Sequence, residues 1–127
     1  MADEVFLKLK GIKKSFGGVH ALNGVDLEIR RGEIHCLAGE NGCGKSTLIK
    51  AISGVHRVDE GEIWIEGKLC NKMNPIDAIN KGIQVIYQDF AVFPNLTVAE
   101  NIALNGEVKN KAKLINWKEI HRVAAEA

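Results

Sequence analysis

Gly39, Gly44, Lys45 and Ser46 fall in the order G-x-x-x-x-G-K-S within the stretch GENGCGKST (Gly39–Thr47). Each residue type has a task in holding a polyphosphate. Glycines let successive backbone N–H groups turn inward on a β-phosphate. A helix starting near Lys45 aims its positive end at the same anion. Lys45 places a point charge across the β- and γ-phosphates, and the Ser46 hydroxyl is spaced to ligate Mg²⁺. At average residue frequencies the pattern arises by chance in on the order of one in 200 chains of this length. Glu40, Asn41, Gly42, Cys43 and Thr47 complete the loop and are candidate contacts to the nucleotide. Cys43 puts a thiol in the path of the phosphates. Alkylating it is expected to block nucleotide binding, and bound nucleotide to protect it; the alternative is an inert small residue.

Such a loop works only between a buried strand and a helix. IHCLA (34–38) is an apolar run ending at a glycine, which predicts a strand buried on both faces. TLIKAISG predicts a helix with Leu48, Ile49 and Ile52 on one face and Gly54 just past its end. Upstream, VFLKLKG (5–11) predicts a strand. Val25, Leu27 and Ile29 alternate with Asp26, Glu28 and Arg30, which predicts another with one buried face. GEIWIEGK alternates in the same way and ends in a glycine turn. NPIDAINKG reads as a short helix capped by Asn74, with Pro75 at its first position and Gly82 after its end. GIQVIYQ predicts a second buried strand. LTVAENIAL opens a helix with Thr97 and Glu100 spaced as a capping box. NWKEIHRVAAEA repeats the device with Asn116 and Glu119, its apolar stripe running Trp117, Ile120, Ala124, Ala127.

The chain has 127 residues, 46% apolar and 26% charged, enough for a compact domain with a core. Its 17 basic and 16 acidic side chains give a net charge of +1, so it lacks the basic footprint of a nucleic-acid binder. No run of about 18 apolar residues encodes a membrane span, and MADEVFLKLKG lacks the pattern of a secretory signal. Cys36, Cys43 and Cys70 are odd in number and unpatterned, which points to reduced thiols in the cytosol, with Cys36 and Cys70 as small core residues.

A GTPase would need N-K-x-D; NKMN (Asn71–Asn74) and NKAK (Asn110–Lys113) both lack the aspartate, and no D-x-x-G occurs. A small-molecule kinase would leave the flanking residues unexplained. The stretch GIKKSFGGVHALNGVDLEIRRGEIHCLAGENGCGKSTLIKAISGV, followed by DEGEIWIEGK and GIQVIYQDFAVFPNLTVAENIAL, resembles the ATP-binding subunit of an ABC transporter over nearly the whole chain. GENGCGKST, LTVAENI and the Pro75 to Ala78 spacing are most similar to importers of ribose-, galactose- or xylose-type sugars.

The resemblance implies an α/β fold: an N-terminal antiparallel β-subdomain and a P-loop NTPase core with part of its parallel sheet, over about 1–90. The start of a helical subdomain is implied over about 91–127. It places Phe16 where an aromatic ring stacks on adenine. It makes Gln88 the Q-loop glutamine that contacts Mg²⁺ and the attacking water. Phe90, Phe93 and Pro94 then lie on a docking surface for the transporter's membrane subunits. A second nucleotide-binding domain is implied as a partner, with the protein on the inner face of the cell membrane, neither inserted in it nor bound to nucleic acid.

The hydrolytic half of the family pattern is absent. VIYQD is interrupted by Gln88 and has no glutamate after Asp89. HRVDEG has acids but no apolar strand. No L-S-G-G-Q occurs, and His20, His35, His56 and His121 all fall outside a switch-histidine context. The expectation is the front part of one nucleotide-binding domain: a chain that binds ATP and Mg²⁺ without appreciable turnover, marginally stable or self-associating. The parent would couple ATP hydrolysis to solute import. A soluble ABC ATPase and a non-catalytic interaction fragment remain as alternatives.

Overall fold

The computed structural model describes residues 4–87, 92–109 and 116–126. They form two compact units, Met1–Val85 and Ile86–Ala127.

The first unit is built on a four-stranded antiparallel sheet. Its strands are β1 (Val5–Phe16), β2 (Val19–Arg30), β3 (Glu60–Ile65) and β4 (Lys68–Leu69), in the order β2-β1-β3-β4. Leu7, Leu9 and Ile12 of β1 are buried with Leu22, Ile63 and Ile65. Ile12 is 0% exposed; burying a side chain of this size contributes about 1.5–3 kcal/mol.

The first strand runs five residues beyond the expected Gly11, and the reason is a bulge. Leu7 and Leu9 keep the two-residue alternation, but the next buried position is Ile12, and the pairing with β2 shifts between Leu9 and Ile12. An extra residue in one strand resets which face each side chain takes. Gly11, at φ 59°, occupies the irregularity; its N–H donates to Asp26 Oδ1 at 2.6 Å. Gly61 of β3 lies so close that a Cβ there would stand 2.5 Å from the Gly11 carbonyl oxygen.

Helix α1 (Lys45–Ile52) packs against this core through Leu48, Ala51 and Ile52, while Ile49 is exposed, so its buried face is rotated from the expected one. It ends as the sequence implies. Gly54 N–H donates to the Ala51 carbonyl and Val55 N–H to the Lys50 carbonyl, a paired closure of the last turn. Helix α2 (Pro75–Asn80) carries its full capping box, with Asn74 and Asp77 bonding each other's backbone N–H.

The two apolar runs expected as buried strands are not strands among the described residues. Residues 34–38 and 83–87 join no ladder; Ile34 is 99% and Ile86 90% exposed. A strand is a paired state that needs a hydrogen-bonding neighbour, and the described sheet offers neither run one. Cys36 is exposed for the same reason, whereas Cys70 is buried as expected.

In the second unit, helices α3 (Val98–Lys109) and α4 (Trp117–Glu126) pack on each other, burying Ala103 and Ile120 while Trp117 stays half-exposed. Thr97 and Glu100 cap α3: both Thr97 N–H and Oγ1 donate to Glu100 Oε2 at 2.7 Å. These bonds hold the Glu100 carboxyl below its usual pKa. The Glu119 side chain and Ala127 lie outside the described residues.

Candidate functional site

The phosphate-binding signature folds into a glycine loop leading directly into α1. Gly44 is the N-cap, at φ 96° and ψ 1°, and no side chain caps the helix. The first N–H groups of a helix have no partner within it. Here they are left to whatever enters the loop. Asn41, Gly42, Gly44, Lys45, Ser46 and Thr47 line a cavity of about 200 Å³ together with Ala21 of β2.

Two absent Cβ atoms shape this cradle. A Cβ on Gly44 would stand 2.4 Å from the Ala21 carbonyl oxygen, and one on Gly39 would stand 2.6 Å from Cys43 Sγ. The approach at Gly44 is to backbone and admits only glycine, whereas at Gly39 the Cys43 side chain would have to turn aside; Gly42 and Gly44 both have φ in the left-handed region. Uncapped N–H groups, a glycine cradle and a neighbouring ammonium together fit a phosphate group. Ser46 lines the cavity, and a hydroxyl is an oxygen ligand of the kind that would hold a cation such as Mg²⁺.

Lys45 reaches across the loop rather than into solvent. Its Nζ donates to the Gly39 and Glu40 carbonyls, both at 2.6 Å, and approaches Cys43 Sγ at 3.4 Å. An ammonium has three donors and no acceptor, so this set satisfies it. The structure therefore gathers every loop residue singled out above. Six line the cavity, and Gly39, Glu40 and Cys43 hold the lysine. Cys43 is exposed with its sulfur beside that ammonium. Treatment with a maleimide is expected to abolish nucleotide binding, and saturating nucleotide to slow the alkylation at least several-fold. Mass spectrometry of the labelled chain checks both, and normal nucleotide binding by fully labelled protein would contradict the expectation.

Phe16 closes β1 on the hairpin whose second strand carries Ala21. It pairs with Val19 across the Gly17–Gly18 turn, and Ala21, which lines the cavity, lies two residues farther along β2, about 7 Å. The ring is 45% exposed. His56 meets it at 5.2 Å between centroids and an interplanar angle of 66°. Lys14 Nζ lies 5.3 Å from the ring centroid. Asp59 fastens this corner: Oδ1 accepts from Lys14 Nζ at 2.8 Å and Oδ2 from Ser15 N–H at 2.7 Å.

The hydrogen bond from Lys14, then that from Ser15, holds the Asp59 carboxyl below its ordinary value of 3.8. A depressed folded pKa means that the bonds contribute fully above the unfolded value and are lost as pH falls through the folded one. An NMR pH titration of Asp59 should therefore show its midpoint rising toward 3.8 in Lys14→Met.

Sequence reading missed Ala21, Lys14 and His56. No motif marks an alanine whose role is its backbone oxygen, and the other two matter only through their contacts with the Phe16 ring. Gln88 and Phe90 lie outside the described residues.

Within the second unit, Val92, Phe93, Pro94, Leu96, Val98, Asn101 and Ile102 line a mainly apolar groove of about 470 Å³. Asn101, also missed from sequence, holds its shape. Its amide donates to the Phe93, Leu96 and Thr97 carbonyls at 2.9–3.2 Å and accepts from Phe93 N–H at 2.9 Å. Among the described residues no helix is long and apolar enough to cross a membrane.

Comparison with known proteins bears on the fold and the family. The solved structure of a nucleotide-free ATP-binding cassette from an ABC transporter superposes with a TM-score of 0.76 at 29% identity, over 93% of this chain and 51% of that one. A dimeric cassette in a post-hydrolysis state bound to ADP and Pi superposes at 0.74 and 28% identity, over 94% and 54%. A putative ribose/galactose/methyl galactoside import ATP-binding protein of Burkholderia cenocepacia is 49% identical over 98% of this chain. A ribose import ATP-binding protein of Streptomyces avermitilis is 50% identical over the same share. The chain spans 24% of the length of either relative. The ABC transporter family model matches residues 22–126, and the chain belongs to that family.

Proposed function

We propose that this chain binds ATP with Mg²⁺ through the loop at Gly39–Thr47, as the front part of the nucleotide-binding domain of an ABC importer for a ribose- or galactose-type sugar. The observation that carries this reading is the uncapped start of α1, closed against the Ala21 carbonyl by Gly44 and furnished with Lys45. Phe16 supplies a ring for the adenine face. Lys45 exchanges its two carbonyl partners for phosphate oxygens. Ser46 holds the cation, with Gln88 as a further contact to it and to the attacking water. The cation supplies charge neutralisation for the phosphates when bound.

The sugar assignment rests on relatives of 46–50% identity whose names include ribose or galactose import. Membrane subunits of the transporter are the proposed partners for the segment after Gln88. The half-exposed Phe93 and the apolar groove around it suit a docking surface better than solvent. A protein so docked works at the cytoplasmic face of the membrane, and a second nucleotide-binding domain completes the ATP site.

Binding without turnover follows from which residues are present. The chain holds a grip on the phosphates but no acidic pair after an apolar strand to orient water, and no L-S-G-G-Q. Purified protein should bind ATP and release no phosphate above background. Steady-state phosphate release that disappears in Lys45→Ala would overturn the non-hydrolytic part of the reading and leave the binding part standing.

A further inference from the structure

We propose that Lys14 is a positioning residue for the nucleotide base, acting through Phe16. The proposal rests on the reading of Phe16 as the adenine platform. The Lys14 ammonium lies 5.3 Å from the Phe16 ring centroid and is tied at 2.8 Å to Asp59. Its side chain is only 16% exposed, so the cation stays at the ring instead of wandering in solvent. Asp59 is itself held, by Ser15 N–H and by its own N–H donating to the Lys13 carbonyl at 2.9 Å.

Two consequences follow from this arrangement. A cation over one face of an aromatic ring is attracted by the ring quadrupole and draws electron density toward itself. The face away from the cation becomes the better partner for an electron-rich purine. The same contact, with His56 against the ring, restricts the turning of a half-exposed phenylalanine. His56 is fastened to α1 by its N–H donating to the Lys50 carbonyl at 3.0 Å, so the platform and the phosphate loop share one helix as their frame. A platform whose orientation is set in advance binds without the cost of ordering it.

The test separates the base from the phosphates. Dissociation constants for Mg·ATP and for inorganic tripolyphosphate are measured by NMR titration on the 127-residue chain and its variants, and their ratio reports the base contribution. The natural chain should bind ATP more tightly than tripolyphosphate, and Phe16→Ala should remove the difference. Lys14→Met should weaken ATP about two- to tenfold, the cost of ordering one loosened side chain on binding, and leave tripolyphosphate unchanged. Lys14→Arg, which can stack a guanidinium on the ring, should restore the ratio.

A Lys14→Met chain with an unchanged ratio, or with tighter ATP binding, overturns the role of Lys14 while Phe16→Ala still shows the platform. A ratio indifferent to Phe16→Ala overturns the platform and the inference with it. So does a natural chain that binds ATP no more tightly than tripolyphosphate, or binds neither. Equal weakening of both ligands by Lys14→Met would mark a general structural role and count against the proposal.

Discussion

Lys45→Ala should weaken binding of Mg·ATP by a factor of about 100 or more without unfolding the chain. The lysine ammonium makes two short bonds to the Gly39 and Glu40 carbonyls, and those acceptors lie in an exposed loop where water can replace the lost donor. Removing the side chain therefore leaves no buried group unsatisfied, and the fold should tolerate it. A phosphate oxygen is a stronger acceptor than either carbonyl because it is charged. A hydrogen bond to a charged group contributes about 1.5–3 kcal/mol, and loss of the contact across two phosphates amounts to about 3 kcal/mol. That is roughly two powers of ten in Kd. Lys45→Arg should recover only part of the loss, since the wider guanidinium must enter a cavity of about 200 Å³. Circular dichroism should superpose on that of the natural chain for both variants.

Gly44→Val should be more damaging than any other single change in the loop, and it should damage stability as well as binding. Gly44 sits at φ 96°, where a side chain costs about 1–2 kcal/mol by itself. A Cβ there also meets the Ala21 carbonyl oxygen at 2.4 Å and a Leu22 methyl at 3.1 Å. Ala21 and Leu22 belong to β2, and Leu22 is part of the core, so the strand cannot yield without disturbing the sheet. Overpacking of this kind adds about 1–3 kcal/mol. The sum, about 3 kcal/mol, is a large share of the margin of a small domain.

Gly42→Ala is the informative comparison. Gly42 has a similar φ, 84°, but a Cβ there meets nothing within 4 Å. Conformational strain alone should cost it about 1–2 kcal/mol. Urea unfolding midpoints of the two variants measure the difference. A Gly44→Val midpoint equal to that of Gly42→Ala would mean that the approach to Ala21 does not constrain the loop.

The parts of this protein that were legible in its sequence are those decided locally. The loop, the helix after it, the caps at Asn74 and Thr97 and the closing glycine of α1 all depend on residues within one or two turns of each other, and all are found where the spacing puts them. The course of β1 was less legible. Its alternation stops at Leu9 and resumes out of step at Ile12, and only the pairing with β2 reveals one continuous strand through a bulge at Gly11. The runs at 34–38 and 83–87 were legible as apolar but not as paired, because periodicity reports which side chains favour burial and is silent on what lies alongside. Ile34 and Ile86 record that difference most plainly.

The candidate site divides along the same line. Its loop is a contiguous motif and was legible as one, whereas Ala21, which closes the cavity from β2, was not. The surroundings of Phe16 are assembled from Lys14 of β1, from His56 in the segment after α1 and from Asp59 just before β3. Phe16 was singled out through resemblance, whereas Lys14, His56 and Asp59 emerged from contacts that no spacing announces.

The most direct test of the central claim, that the loop at Gly39–Thr47 grips ATP, is equilibrium dialysis of radiolabelled Mg·ATP against the natural chain and Lys45→Ala. Saturable binding by the natural chain that is lost in the variant is the expected result. Binding of equal strength by the two proteins, or none by the natural chain at millimolar nucleotide, would contradict it.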